Sequence, residues 1–160
     1  MKRISAFFFG ALMATIFLMG SANANEAALK TYSLQAEYAD VVQDVEDGIV
    51  NAGLNIDYRG KIAAMLDRTG KDIGATKKVY KGAEFMQFCS ARLSREMMEA
   101  DAANMGVCPY IVFVYETVAK PGTITVGYKR PLGAAGDASQ KALGKIEALL
   151  DGIVKEAAGK

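Results

Sequence analysis

Two cysteines, Cys89 and Cys108, are the residues of this 160-residue chain whose type and spacing most directly suggest chemistry. In an oxidising compartment such a pair usually forms a disulfide. Closing the loop of 18 residues between them would stabilise the fold by about 3 kcal/mol in the chain-entropy model. The sequence leaves three interpretations open: a structural disulfide, two separate thiols, and a redox-active or sulfur-carrying pair.

The directions of the flanking strands decide whether the two sulfurs can meet. Cys89 ends one predicted strand and Cys108 opens the next, with a helix between them. If these strands are adjacent and parallel, the sulfurs lie at opposite ends of the sheet, about 20 Å apart, whereas a disulfide needs a Cα separation of roughly 5.5 Å. If the second strand runs antiparallel, they can meet. Cys89 is the better candidate for reactivity, because it precedes a helix start and Arg92 lies a turn away.

A soft-metal or haem site is a further hypothesis. Thiolate and thioether ligands suit Cu(I), and Cys108-Pro109 is similar to short Cys-Pro sequences that offer a thiolate to haem. The sulfur-bearing residues of the segment are Cys89, Met97, Met98, Met105 and Cys108. They form no C-x-x-C or M-x-x-M pair, and Met97 has the helical spacing from Leu93 that is typical of a core residue. We therefore predict no metal and no cofactor.

Carboxylates give a weaker signal. Two predicted helices carry acids close enough to face each other, which is typical of a solvated face: Asp40, Asp44 and Asp47 on one, and Glu96, Glu99 and Asp101 on the other. Glu116 is unusual because it lies inside an apolar strand. If it is buried, it needs a cationic partner such as Arg130 or Lys129; otherwise it marks an edge or a strand end.

The near-neutral charge balance argues against a nucleic acid as the partner. The chain has 19 Lys plus Arg against 18 Asp plus Glu. One small basic patch, Lys77, Lys78 and Lys81, lies near Tyr80. A solvated loop is the default interpretation of this patch, and an anion site is the alternative.

The absence of histidine removes several kinds of site. With no His in the sequence, the chain lacks His-based acid–base catalysis, a Ser-His-Asp triad and His ligands for zinc or haem. No nucleotide-binding or nucleophile-elbow motif occurs either. The sequence therefore favours a protein that is not an enzyme.

The first 24 residues have the three parts of a secretory signal peptide. Lys2 and Arg3 form a charged start, the apolar run Ala6–Met19 follows, and Ala22-Asn23-Ala24 offers a small-x-small cleavage site. The apolar run is shorter than the roughly 20 residues of a spanning helix. We expect cleavage after Ala24 and a periplasmic protein, in which residues 25–160 form a single domain without stable membrane association.

Hydrophobic periodicity predicts the elements that must position these residues. Strands are expected over residues 31–37, 54–58, 83–89, 110–117 and 123–128, and helices over 40–52, 62–68, 91–103 and 139–157. The strand at 110–117 is predicted to be central, with both faces covered. This order indicates an α+β two-layer sandwich, with a mixed sheet, helices packed on one face, a β-hairpin and a C-terminal helix.

Local signals set the expected boundaries of these elements. Asp40 with Gln43 predicts a capping box for the first helix, and Ser90 and Ser139 are predicted to cap the later two. Lys120-Pro121-Gly122 predicts the hairpin turn. The apolar stripe of the last helix is expected to dock on its own domain, with a homodimer contact as the alternative.

The middle of the chain resembles a known family. The resemblance is carried by Phe88-Cys89-Ser90-Ala91, Met97–Asp101, Val107–Glu116 and Val126–Pro131, with Gly53–Tyr58 and Ala64–Thr69 upstream. In order and spacing these segments are similar to domain of unknown function 302, in an exported branch, over residues 38–131. The resemblance implies a compact α+β domain, often met in exported bacterial proteins and sometimes near sulfur-compound oxidation genes. It implies no reaction and no catalytic residue, and it leaves the C-terminal helix outside.

Together these observations favour an exported, non-enzymatic binding or accessory protein, linked to sulfur or redox metabolism. A thiol-active protein that carries sulfur or exchanges disulfides through Cys89 or Cys108 is the first alternative, and a soft-metal or haem protein is the second. The expected partner is a small molecule or a protein, not a nucleic acid. Met105, Tyr110 and Arg92 are the weak candidates for its ligand site.

Overall fold

The computed structural model describes residues 28–160, so the predicted signal peptide lies outside the described residues. The strands are β1 (Leu29–Gln35), β2 (Ile56–Lys61), β3 (Tyr80–Phe88), β4 (Tyr110–Thr117) and β5 (Thr123–Lys129). The α-helices are α1 (Tyr38–Asn51), α2 (Ile62–Thr69), α3 (Ala91–Ala100) and α4 (Asp137–Ala157). Short 3-10 helices follow α2 at Gly70–Ile73 and α3 at Ala102–Val107.

The five strands form one sheet in the order β1-β5-β4-β3-β2. The predicted α+β class, the central position of β4 and the β4–β5 hairpin are confirmed. The sheet differs from the expected mixed sheet, because every pairing of the described strands is antiparallel. The chain leaves β3 at one end of the sheet and, after α3, enters β4 at that same end, which makes these neighbours antiparallel.

Three helices cover one face of the sheet and build the core with it. The apolar face of α1, at Val41, Val45 and Ile49, is buried against the inward side chains of β4 and β5. The helix α4 packs against both α1 and α3. Its predicted stripe is buried at Leu143, Ile146, Leu150 and Ile153, and Leu149 is partly buried. The docking of the last helix on its own domain is therefore confirmed.

The opposite face of the sheet is partly exposed, so the expectation that both faces of β4 are covered is wrong. Along β4 the side chains alternate between fully buried and partly exposed, and the partly exposed ones include Phe113 and Tyr115. The ring of Phe113 lies where a Cβ on Gly127 of β5 would stand, and the ring of Phe85 does the same at Gly60 of β2. Glycine at these two positions therefore lets aromatic rings lie across neighbouring strands.

The first helix begins earlier than its sequence signal. It starts at Tyr38, two residues before the predicted cap Asp40, and no side chain caps it. Gln43 donates a hydrogen bond of 2.9 Å to Asp47 instead of reaching back to the helix start. Tyr38 explains the earlier start, because it packs on the core and its hydroxyl donates to Glu84 across 3.1 Å. The predicted capping box is therefore wrong.

Two further boundaries differ from the prediction. The last helix starts at Asp137, and Ser139 is buried in its first turn, where its hydroxyl accepts from Asn104 rather than capping the helix. The helix α3 ends at Ala100, three residues before the predicted end, because Asp101 takes an extended backbone conformation. The contact with Asn104 explains the difference at the start of α4, and the extended backbone at Asp101 explains the early end of α3.

Candidate functional site

Cys89 is held between a strand end and a helix start. The strand β3 ends at Phe88, whose ring is fully buried, and α3 begins at Ala91. Between them, the hydroxyl of Ser90 accepts a hydrogen bond of 3.4 Å from the backbone N–H of Leu93, so the predicted cap is confirmed. Cys89 is half-buried and directly precedes this cap. The positive end of a helix favours a thiolate at such a position.

Cys108 follows a 3-10 segment that a buried asparagine fixes in place. The side-chain amide of Asn104 donates to the carbonyl of Met97 across 2.8 Å and to the hydroxyl of Ser139 across 2.9 Å. Its side-chain oxygen accepts from the backbone N–H of Ala134 across 2.8 Å. Both amide protons and one lone pair of the oxygen of this fully buried side chain are thus directed at α3, α4 and the loop before α4. The position of Cys108 is set by those three contacts.

A disulfide joins Cys89 to Cys108, with a Cα separation of 6.4 Å, inside the usual range of about 4.4–6.8 Å. Phe88 and Tyr110 are register partners in the antiparallel ladder of β3 and β4. Both cysteines therefore lie just beyond the same end of the sheet, and the obstacle that parallel strands would have raised does not exist. The two sulfurs are within reach of each other, as the antiparallel alternative requires. The peptide bond between Cys108 and Pro109 is cis.

A serine of α3 contacts one sulfur of the disulfide. The hydroxyl oxygen of Ser94 lies 3.1 Å from Sγ of Cys108 and 3.0 Å from the hydroxyl of Tyr110. Tyr110 is 2% exposed, and its burial raises the pKa of its phenol, although the hydrogen bond with Ser94 works in the opposite direction. The phenol is therefore a neutral hydroxyl at ordinary pH. It can donate to Ser94, which leaves the Ser94 proton free to point at sulfur.

This arrangement can support thiol chemistry at both sulfurs. Cys89 has the helix start beside it, and Cys108 has a hydroxyl donor. Both residues are only half-buried, so a partner can reach the bond between them. The sequence prediction did not include Ser94. Its only signal was its position one turn after Ser90, on a helix that starts beside Cys89.

Comparison with family models identifies the family of this chain. The family model for Domain of unknown function DUF302 matches residues 30–157. The chain belongs to the DUF302 family. The match includes α4, so the expectation that the C-terminal helix lies outside the family region is wrong.

A solved DUF302 protein has the same fold. The crystal structure of an uncharacterized conserved DUF302 protein from Bacillus stearothermophilus superposes with a TM-score of 0.63 at 12% identity, covering 81% of this chain and 97% of that one. At this identity the likeness concerns the fold alone. A search of curated proteins gives no match. Among residues 28–160 of this DUF302 chain, no helix has both the length and the apolar character needed to cross a membrane.

Two of the three weaker site candidates contact the surroundings of the disulfide, since the phenol of Tyr110 lies 3.0 Å from Ser94 and the carbonyl of Met105 accepts from the backbone N–H of Cys108 across 3.1 Å. Arg92 is exposed on α3, and Met105 is 67% exposed on the 3-10 segment. Of the sulfurs considered for a soft metal, Met97 is fully buried in the core and Met98 packs against it. Within the described part of this DUF302 chain, no group of three or more His, Cys, Asp or Glu side chains could hold a metal ion.

Glu116 is buried and has found a different partner from the two expected. Its carboxylate accepts a hydrogen bond of 2.7 Å from Lys81 of β3 and another of 2.8 Å from the backbone N–H of Gly122 in the hairpin turn. The hydrogen bonds from Lys81 and Gly122 hold the pKa of this carboxyl below its ordinary value. Arg130 pairs instead with Glu147 of α4 across 2.9 Å. Glu116 therefore stabilises the β4–β5 turn through its hydrogen bond with Gly122.

Proposed function

We propose that this DUF302 chain is an exported redox accessory protein, whose Cys89–Cys108 pair alternates between disulfide and dithiol by exchange with a protein dithiol. One observation carries the proposal: both cysteines are partly exposed, and Ser94 contacts Sγ of Cys108 at 3.1 Å. A purely structural disulfide needs neither access nor a hydroxyl donor at sulfur. The protein acts stoichiometrically in this scheme, as an accessory rather than an enzyme.

The exchange proceeds in two displacements. A thiolate of the partner attacks Sγ of Cys89, an S–S bond to the partner forms, and Cys108 leaves with the electron pair of the broken bond. The Ser94 hydroxyl donates to this leaving thiolate, which lowers its basicity. The second thiolate of the partner then attacks the partner's own bridged sulfur, and Cys89 leaves beside the start of α3. The partner is oxidised to a disulfide, and its two electrons and two protons pass to Cys89 and Cys108.

The proposed location rests on the N-terminal sequence. A charged start, an apolar run and Ala22-Asn23-Ala24 are the parts of a signal peptide, and an oxidising periplasm is where a protein disulfide persists. Intact mass of the protein from the periplasmic fraction tests this location. We expect a chain that begins at Asn25; an uncleaved chain in the cytoplasmic fraction would contradict the proposal.

The redox activity is tested by equilibrating purified protein in glutathione and dithiothreitol buffers, then alkylating it and measuring its mass. We expect a reduction potential above about −300 mV, since structural disulfides lie below that value. We also expect the reduced protein to keep its near-ultraviolet circular dichroism. A pair that resists reduction, or a fold that is lost on reduction, would make the disulfide structural. An adduct of about 32 Da on either Cys that dithiothreitol removes would instead identify a sulfur carrier, since a sulfinic acid of the same added mass resists this reductant.

Two matched variants distinguish the roles of the two sulfurs. Cys89→Ser leaves Cys108 as the remaining thiol, and Cys108→Ser leaves Cys89. With a partner that keeps one Cys, activated as its mixed disulfide with thionitrobenzoate, the proposal expects the Cys89 thiolate of Cys108→Ser to displace thionitrobenzoate and form a stable mixed disulfide, and expects little with Cys89→Ser. Trapping through Cys108 alone would overturn the assigned order of attack.

A further inference from the structure

A groove of about 490 Å³ lies on the partly exposed face of the sheet, the face opposite α1, α3 and α4. Its floor is formed by Tyr115 of β4, Thr125 of β5 and Ser33 of β1, which the strand register places side by side. The volume falls in the range of small-molecule sites, about 300–1,000 Å³. Nothing in the proposed redox function uses this groove.

Two chain segments form the walls of the groove. The segment 77–79 leads into β3, and the segment 118–120 leaves β4. The backbone N–H of Val118 donates to the carbonyl of Val79 across 3.0 Å, so the two segments are tied together. Both valine side chains are exposed. Beside them the ring of Tyr80 packs edge-on against Tyr115, with the ring centroids 5.7 Å apart.

The groove carries positive charge that the protein does not neutralise. Its lining includes Lys77, Lys78 and Lys120 and no acidic side chain. Lys78 pairs with Asp67 across 3.3 Å, but both side chains are more than half exposed, and such pairs contribute little. Among the described residues 28–160, no ion pair involves Lys77 or Lys120. Three like charges around an uncharged floor favour an anion.

The floor adds two other kinds of contact. The hydroxyls of Ser33 and Thr125 lie 3.3 Å apart and can both turn toward a ligand. Tyr115 presents an aromatic surface, which stacks on Phe113 at a centroid distance of 6.2 Å. A ligand in this groove would therefore meet a hydroxyl pair, an aromatic ring and exposed valines below a rim of lysines.

We propose that this groove binds a small organic anion, a carboxylate or sulfonate with an apolar body. The anionic group pairs with Lys77 and Lys120, and the apolar body lies against Tyr115 and the two valines of the walls. The groove lies at the Thr117 end of β4, whereas Cys108 precedes the other end, about 20 Å away along the strand. Variants in the groove are therefore expected to leave the cysteine pair unchanged, and this proposal stands or fails independently of the redox function.

Anilinonaphthalene sulfonate is a suitable probe, because it combines a sulfonate with an apolar aromatic body. We expect one site by fluorescence titration of the folded protein, with a dissociation constant below about 100 µM. The neutral analogue N-phenylnaphthylamine should bind about tenfold more weakly, and added salt should weaken the sulfonate selectively. Amide NMR shifts should fall on 77–79, 115–120 and 123–125. Equal affinity for both probes, or shifts elsewhere, would overturn the proposal.

A matched pair of variants tests the lysines. The double variant Lys77→Gln/Lys120→Gln should weaken binding of the sulfonate about tenfold and leave the neutral probe unaffected. Lys141→Gln removes an equally exposed lysine from α4, outside the groove, and should change neither affinity. Thermal melting of each variant shows that the fold is intact. Unchanged binding of the sulfonate by the folded double variant would contradict the proposed site.

Discussion

The hydroxyl oxygen of Ser94 and Sγ of Cys108 lie 3.1 Å apart, although α3 carries the serine and the cysteine follows a separate 3-10 segment. The same hydroxyl lies 3.0 Å from the buried phenol of Tyr110. The helix that starts beside Cys89 therefore also supplies the polar neighbour of Cys108. One helix sets the surroundings of both sulfurs, so changes in this helix should alter the redox equilibrium of the pair.

Ser94→Ala should make the cysteine pair harder to reduce. In the reduced protein the hydroxyl can donate to the Cys108 thiolate, and a hydrogen bond of this kind stabilises the reduced state by about 1 kcal/mol. Because 30 mV corresponds to about 1.4 kcal/mol for a two-electron couple, the potential should fall by roughly 20 mV. Redox titration against glutathione measures this shift.

Tyr110→Phe gives an independent test of the same chain of hydroxyls. It should shift the potential in the same direction by less, since Ser94 keeps its contact with sulfur. Ser33→Ala serves as the control, because this hydroxyl contacts Thr125 on the opposite face of the sheet rather than a residue near the cysteines. A potential that Ser94→Ala leaves unchanged would mean that the hydroxyl has no role at sulfur.

Asn104→Ala should destabilise the fold by about 2 kcal/mol. The substitution removes three hydrogen bonds and leaves the partly buried backbone N–H of Ala134 without its partner, while the carbonyl of Met97 keeps only its bond from the backbone N–H of Asp101. Urea unfolding measures the loss. Asn51→Ala, on the exposed end of α1, should change the free energy of unfolding by less than about 0.5 kcal/mol. Equal effects of the two substitutions would show that Asn104 does not stabilise the 3-10 segment before Cys108.

Acidification should weaken the attachment of α4 to the sheet through Asp151. Burial alone would raise the pKa of this carboxyl, but hydrogen bonds from Lys155, Tyr32 and Lys30 hold it well below its ordinary value. A carboxyl with a lowered folded-state pKa stabilises the protein above its unfolded pKa of about 3.9, and this stabilisation is lost as pH falls. Asp151→Asn should therefore cost more at pH 7 than at pH 2.

The measurement is the free energy of unfolding of wild type and variant from pH 7 to pH 2. The gap between them should be constant down to about pH 5 and then narrow steadily. Asp44→Asn is the control, because Asp44 is exposed on α1 and its substitution should change the free energy of unfolding only slightly. A gap for Asp151→Asn that stays constant to pH 2 would contradict the inferred ion pairing.

Most helices and strands could be predicted from interactions between residues close in sequence. The contacts between residues far apart in sequence could not. The strand β4 and the Ser90 cap agree with the sequence, because β-branched runs and capping residues act over a few positions. The partner of Glu116 was missed since Lys81 lies 35 positions away and only the β3–β4 register brings it near. The contact of Ser94 with Cys108 depends in the same way on where α3 lies, which no local pattern encodes.

Gly127→Ala and Gly144→Ala should change stability in opposite directions. A Cβ on Gly127 would stand 2.5 Å from the backbone carbonyl oxygen of Lys30 and 2.9 Å from the ring of Phe113, so the backbone of β1 must shift. We expect a loss of about 2 kcal/mol or more. A Cβ on Gly144 meets nothing within 4 Å, and it lies on the exposed side of α4, where alanine should add about 0.5–1 kcal/mol.

Urea unfolding measures the free energy of unfolding of both variants. Because the same methyl group is added in each, the loss at Gly127 reports the steric clash and the gain at Gly144 reports the lower backbone entropy of the unfolded chain. The loss at Gly127 should come with a changed near-ultraviolet signal, since Phe113 stacks on Tyr115 and must move with it. A variant at Gly127 as stable as wild type would mean that the backbone of β1 at Lys30 and the ring of Phe113 both move at little cost. The aromatic floor of the groove would then be adjustable rather than fixed, and Gly127→Ala should leave binding of the sulfonate probe intact.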